Sequence, residues 1–137
     1  MSTTFVPKQG TSWWMRAEHV AIVVIFTALV VAHFDEISWG RFIAAFALID
    51  LVGYLPGALA FRSSGGKQIP RIYYVLYNLT HNYVVVGAAV ALWALAAGGP
   101  DWAMVAVPIH LSGDRGLLGN FSKPWALPFE PGSQPGH

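Results

Sequence analysis

Four apolar runs separated by short polar clusters set the pattern of this chain. The first, residues 17–34, opens with Glu18 and His19 and is then apolar as far as Ala32. The second, residues 42–61, contains one charge, Asp50. Residues 72–97 carry no formal charge, although Asn78, His81 and Asn82 interrupt them. Residues 102–119 form a shorter run that holds His110, Asp114 and Arg115. A membrane-spanning helix needs about 20 mainly apolar residues, and lipid leaves the backbone no other partner than itself. The pattern therefore predicts an all-α polytopic membrane protein with four transmembrane helices in a bundle. It divides into an extended interfacial arm over residues 1–16, a transmembrane domain over 17–120 and a proline-rich extended tail over 121–137. Pro56, between Gly53 and Gly57, should kink the second helix. Pro70 opens the third, where its missing N–H costs little, and "GGPD" closes it. No internal repeat is evident.

Composition agrees with the pattern. The chain of 137 residues is 55% hydrophobic and 11% charged, against about 25% charged in soluble domains, so it lacks the polar surface to sit in water. Without cysteine, disulfides and thiolate metal sites are excluded. A net charge of +1 gives no field that would point to nucleic acid. The first run ends in "AHFDE", which does not resemble a small-residue cleavage site. Lys8, Arg16, Arg62, Lys67, Arg71 and Lys123 fall at one end of the predicted helices, while Asp35, Glu36, Arg41 and Asp101 fall at the other. Positive loops stay cytoplasmic, so both termini are expected inside. Trp13 and Trp14 then mark the inner interface, and Trp39, Trp93 and Trp102 the outer one.

Counted from the inner ends at 1.5 Å per residue, most of the ionisable residues fall in one band roughly 8–17 Å deep. Glu18, Asp50, His81, His110 and Asp114 thus come from four helices into the same half of the membrane. A charge at mid-bilayer costs about 2.5–3.5 kcal/mol and normally faces the bundle interior with a partner. Asn78 and His81 share one helix face, and His110 and Asp114 share another. Asp50, His81, His110 and Asp114 are candidate ligands of a divalent metal such as zinc, iron or manganese, because bundles build such sites from inward carboxylates and histidines. Glu18 and Arg115 are candidate catalytic residues, the first as a base and the second as an anion binder. His81 and His110 are also candidate ligands of haem or (bacterio)chlorophyll. In the competing reading these groups pair with one another, with Arg115 or with Tyr77 and Tyr83, and only fix helix register.

Other features have simpler readings. His33, Asp35 and Glu36 read as a solvated outer turn, and His19 as facing headgroups or a neighbour. Tyr73, Tyr74 and Tyr77 read as interfacial belt and packing. The "NLT" at Asn78 is buried in a span, and "RSSGGK" lacks the spacing and the preceding strand of a phosphate loop.

The segments "RAEHVAIVV", "LIDLVGYLPG", "YNLTHNYVV" and "PIHLSGDRGLLG" together resemble a small bacterial integral-membrane family, domain of unknown function 4260, over roughly residues 15–119. The resemblance maps that family's pattern onto Glu18, Asp50, Asn78, His81, His110, Asp114 and Arg115, and implies a multi-pass protein of the bacterial cytoplasmic (inner) membrane. It brings no activity. The family's usual end is replaced here by "LLGNFSKPWALPFEPGSQPGH". The H-x-x-x-D helix also resembles, distantly, the LexA-binding type of membrane-bound metal-dependent hydrolases, which points toward metal.

Two functions follow as expectations. Small size, little loop and two terminal segments suited to docking suggest an accessory subunit of a larger membrane complex, bioenergetic or pigment-binding, whose partners are the bilayer and other membrane subunits rather than nucleic acid. That reading makes the chain a non-enzyme. The alternative is an intramembrane metal-dependent hydrolase acting on an amphipathic substrate from the inner leaflet.

Overall fold

The computed structural model describes residues 9–130; the rest of the interfacial arm and of the tail lies outside them. Six helices follow in order: α1 (Gln9–Ala32), α2 (Trp39–Gly53), α3 (Leu55–Ser63), α4 (Arg71–Thr80), α5 (Tyr83–Ala97) and α6 (Ala106–Gly116). Short 3-10 turns at Phe34–Glu36 and Trp102–Val105 precede α2 and α6. No strand occurs among the described residues.

Two stretches are long and apolar enough to cross a membrane, Trp13–Ala32 and Trp39–Ser63. A third qualifies if α4 and α5 are taken as one bent span. No residue of Trp13–Ala32 is buried within the protein. Residues 9–16, expected as extended arm, are instead the first turns of α1; no proline after Pro7 interrupts the helix before the apolar run.

The expected kink near Pro56 is present as a break at Tyr54, between α2 and α3. Pro56 has no N–H for the carbonyl one turn back, so the ladder slackens there. The run at 72–97 differs from the single straight helix expected. It is two helices bent by 60°, because the Asn82 side chain accepts the amides of Val84 and Val85 at 2.9 and 3.1 Å and starts a new helix there. Pro70 stands immediately before α4, and Gly98 closes α5 with φ 83°. The run at 102–119 is likewise divided: Asp101 caps the turn through the Ala103 amide at 2.8 Å, and α6 itself has 11 residues.

Close helix crossings place the site. At Gly53 a Cβ would overlap the Thr80 hydroxyl, so only glycine lets α4 end against α2. At Gly116 a Cβ would lie 2.7 Å from the Val20 amide nitrogen, where α6 runs along α1. Ile49, Val86, Val107 and Leu111 form one buried cluster. A second gathers Ala58, Phe61, Ile69, Tyr74 and Tyr77 around Phe129, which belongs to the tail.

From Leu117 to Glu130 the chain is non-helical, as its prolines require, and it folds back as a strap across α3 and α4. Phe129 is fully buried against Gly57. Tyr74 donates its hydroxyl to the Leu127 carbonyl at 2.6 Å, and Tyr54 bonds Glu130. The Lys123 ammonium donates to the Phe129 carbonyl at 2.5 Å and lies 4.8 Å from the Tyr77 ring centre. Burial pushes its pKa below the ordinary lysine value, against the pull of Glu130 and Asp114.

Gly116→Ala tests the α1–α6 crossing. The added methyl forces the helices apart at a cost of about 1–3 kcal/mol, read as a lower thermal midpoint in detergent. An unchanged midpoint would contradict the close approach.

Candidate metal centre

Each of the four predicted metal ligands reaches the centre for a local reason. Asp50 stands in the last turn of α2. His110 and Asp114 are one turn apart on α6 and project together. His81 follows α4 as its C-terminal cap and lies in the break before α5. The Gly53–Thr80 contact brings that break against α2.

The resulting distances are short and nearly equal. His81 Nε2 lies 3.1 Å from Asp50 Oδ1 and 3.2 Å from Asp114 Oδ2. His110 Nε2 lies 3.2 Å from Asp50 Oδ2 and 3.3 Å from Asp114 Oδ2. One ligand atom from each of the four residues falls within 4.8 Å of all the others. Both histidines are buried; the Asp114 side chain is 20% exposed and that of Asp50 47%.

The far nitrogens decide what the near ones can do. His81 Nδ1 lies 2.9 Å from the Tyr77 carbonyl and 3.0 Å from the Thr80 hydroxyl, which itself donates to the Leu76 and Tyr77 carbonyls. His110 Nδ1 lies 2.6 Å from the Phe46 carbonyl. Carbonyls only accept, so each Nδ1 carries a proton, a tautomer assigned from its partners. Each Nε2 then faces carboxylates either as an imidazolium N–H or as a lone pair turned toward a shared cation. Two imidazolium ions against two carboxylates sum to zero charge. So do two neutral imidazoles and two carboxylates around one divalent ion. Tetrahedral bonds of 2.0–2.1 Å require ligand atoms about 3.4 Å apart; the four His–Asp contacts are near that spacing, and the full set of four ligand atoms spreads to at most 4.8 Å. Histidines that ligate metal characteristically give their other N–H to a carbonyl or carboxylate, as both do here.

An open hollow of about 330 Å³ reaches this group from one side, lined by Phe46, Ala47, Asp50, Leu51, Tyr54, Leu55 and His110. Half-exposed Asp50 lines it. Phe46, Leu51 and Leu55 are exposed, so the hollow opens along an apolar flank of α2 and α3.

The other sequence candidates are placed differently. Glu18 is exposed on α1 and is not one of the four converging groups. Arg115 turns away from the carboxylates. It donates to the His81 carbonyl at 3.0 Å and lies between the Tyr83 and Phe121 rings. It thus supports the helix break. Asn78 grips the strap rather than the centre: its amide donates to the Lys123 carbonyl at 2.9 Å and accepts the Lys123 amide at 2.7 Å. His19 meets a neighbour, Ser112, whose hydroxyl lies 2.9 Å away and also bonds Tyr83. His33 bonds Glu36 at 2.5 Å and stacks on Trp102 at 3.7 Å.

Sequence reading missed the carbonyl partners of the two histidines, which no side-chain pattern encodes. It also missed the break that frees His81. "HNYVVV" held that signal, since asparagine immediately before an apolar run is a helix N-cap signature. No protein-family model, curated protein or solved structure matches the chain, so the family resemblance rests on the quoted motifs alone.

Removing one imidazole leaves two carboxylates to share a single imidazole. His110→Gln should therefore lower stability by about 3 kcal/mol, and adding Asp114→Asn should restore part of that loss. Equal stability of the single and double variants, measured by thermal unfolding, would show that the groups do not interact.

Proposed function

We propose that this chain is a membrane-embedded metalloprotein that hydrolyses an amphipathic substrate reaching it from the lipid. The observation that carries the reading is the pair of imidazoles whose Nδ1 protons are held by backbone carbonyls while both Nε2 atoms and two carboxylates converge. Sharing of the same carboxylates by both imidazoles suits a small ion better than a haem or chlorophyll macrocycle.

His81, His110 and Asp114, the more enclosed donors, would hold the ion. A divalent cation there supplies Lewis acidity and brings the pKa of bound water toward neutrality. Asp50 completes the set or, lining the hollow, accepts a proton from water; this role replaces the one expected of Glu18. The apolar flank formed by Phe46, Leu51 and Leu55 admits the greasy part of a substrate from the bilayer. Arg16, Arg62, Lys67, Arg71 and Lys123 lie at the end assigned to the cytoplasm. The full arrangement is a four-span protein of the bacterial inner membrane with both termini inside. In it α4 and α5 cross once, and α6, about 17 Å long, crosses with the help of its flanking turns.

Elemental analysis of detergent-purified protein tests the centre. About one zinc, iron or manganese ion per chain is expected, and His81→Ala and His110→Ala should each lose it. Wild-type protein that holds no metal and takes none up would leave only the self-paired quartet.

A second reading, an accessory subunit of a larger membrane complex, draws on α5. Of its residues only Val86 is buried, and apolar hollows of about 630 and 380 Å³ flank it. Helices of partner subunits would fill them. Gentle extraction from native membranes should then yield a particle well above 14.9 kDa of protein, whereas a monodisperse lone monomer would end this reading.

A further inference from the structure

Three of the four converging donors sit within helices, but His81 does not. Asp50 is carried by α2 and His110 and Asp114 by α6, so their backbones are set by helical hydrogen bonds. His81 stands in the break between α4 and α5, where the chain bends by 60°. A ligand at such a position needs something else to hold it.

The C-terminal strap supplies that support. The Tyr77 ring lies flat on the His81 imidazole, centres 3.9 Å apart and planes 12° apart. Its other neighbours include the buried Phe129 ring, edge-on at 6.1 Å, and the Lys123 ammonium. One residue further along α4, Asn78 binds both backbone groups of Lys123. The last turn of α4 is therefore held by the strap on one side and presents His81 to the carboxylates on the other.

We infer that Asn78 and Phe129 are positioning residues for the metal centre: the docked strap fixes His81 in its ligating position, and metal binding in turn fixes the strap. This rests on the metal reading above. Linkage requires the coupling to be reciprocal. Loss of a partner that orients a ligand typically weakens metal binding by roughly 10- to 100-fold.

The test uses full-length protein in detergent with zinc and cobalt(II) as probes. Asn78→Leu and Phe129→Ala should bind zinc roughly 10- to 100-fold more weakly than wild type in competition with a chromophoric chelator. Their cobalt(II) absorption bands should also shift, which a loss of general stability would not produce. His33→Ala, at the opposite end of the molecule, should leave both readouts unchanged. In wild type, zinc should slow hydrogen exchange at the Lys123 amide relative to chelator-treated protein, a measurement that needs no variant to fold. Wild type that binds zinc while the folded variants keep its affinity and spectrum, or equal exchange at Lys123 with and without zinc, overturns the strap inference alone. Wild type that binds neither zinc nor cobalt overturns the metal centre and this inference with it.

Discussion

Two imidazoles and two carboxylates in an apolar helix bundle must neutralise one another or share a cation, and the inner architecture of this protein follows from that requirement. Singly, each group is expensive in lipid. Together they sum to zero charge, with protons or with one divalent ion between them. Meeting within 4.8 Å demands that α2, the end of α4 and α6 come into contact at one level. Gly53 permits the α2–α4 contact, and Gly116 seats α6 on α1. The backbone carbonyls of Phe46 and Tyr77 complete the arrangement by orienting the rings.

The same requirement accounts for the broken third run. A straight helix through residues 72–97 would carry His81 in a regular turn, with its side chain direction tied to Tyr77 and Thr80. Breaking it at His81–Asn82 frees that residue to turn toward Asp50 and Asp114. The break exposes backbone groups, which is tolerated in a membrane only where protein satisfies them. Arg115 takes the His81 carbonyl and the Asn82 side chain takes the Val84 and Val85 amides. Arg115 thus meets the centre through the His81 backbone.

At one end of the molecule the Arg41–Asp101 ion pair at 2.7 Å and the His33–Trp102 stack tie neighbouring segments together. The other end is closed by the strap, whose Phe129 fills the space left by Gly57. Half-exposed Asp50 and the hollow beside it leave the centre open on one flank.

By itself the sequence determined the helical class and which polar side chains were available to meet. Apolar runs with so few charges give helices apolar enough to cross a membrane, and the same scarcity makes Asp50, His81, His110 and Asp114 conspicuous beside the few other ionisable residues there, Glu18, His19, His33 and Arg115. The proline-rich stretch after Gly119 likewise excluded helix. Only the tertiary structure decided which polar groups meet. Glu18 was expected in the same half of the membrane as the others but stands exposed on α1, because position along a helix says nothing about the direction a side chain faces. The division of the third run, the carbonyl partners of the histidines and the return of Phe129 to the core were hidden for a related reason. Each depends on backbone atoms and close crossings between segments far apart in the chain, and side-chain periodicity carries no record of those.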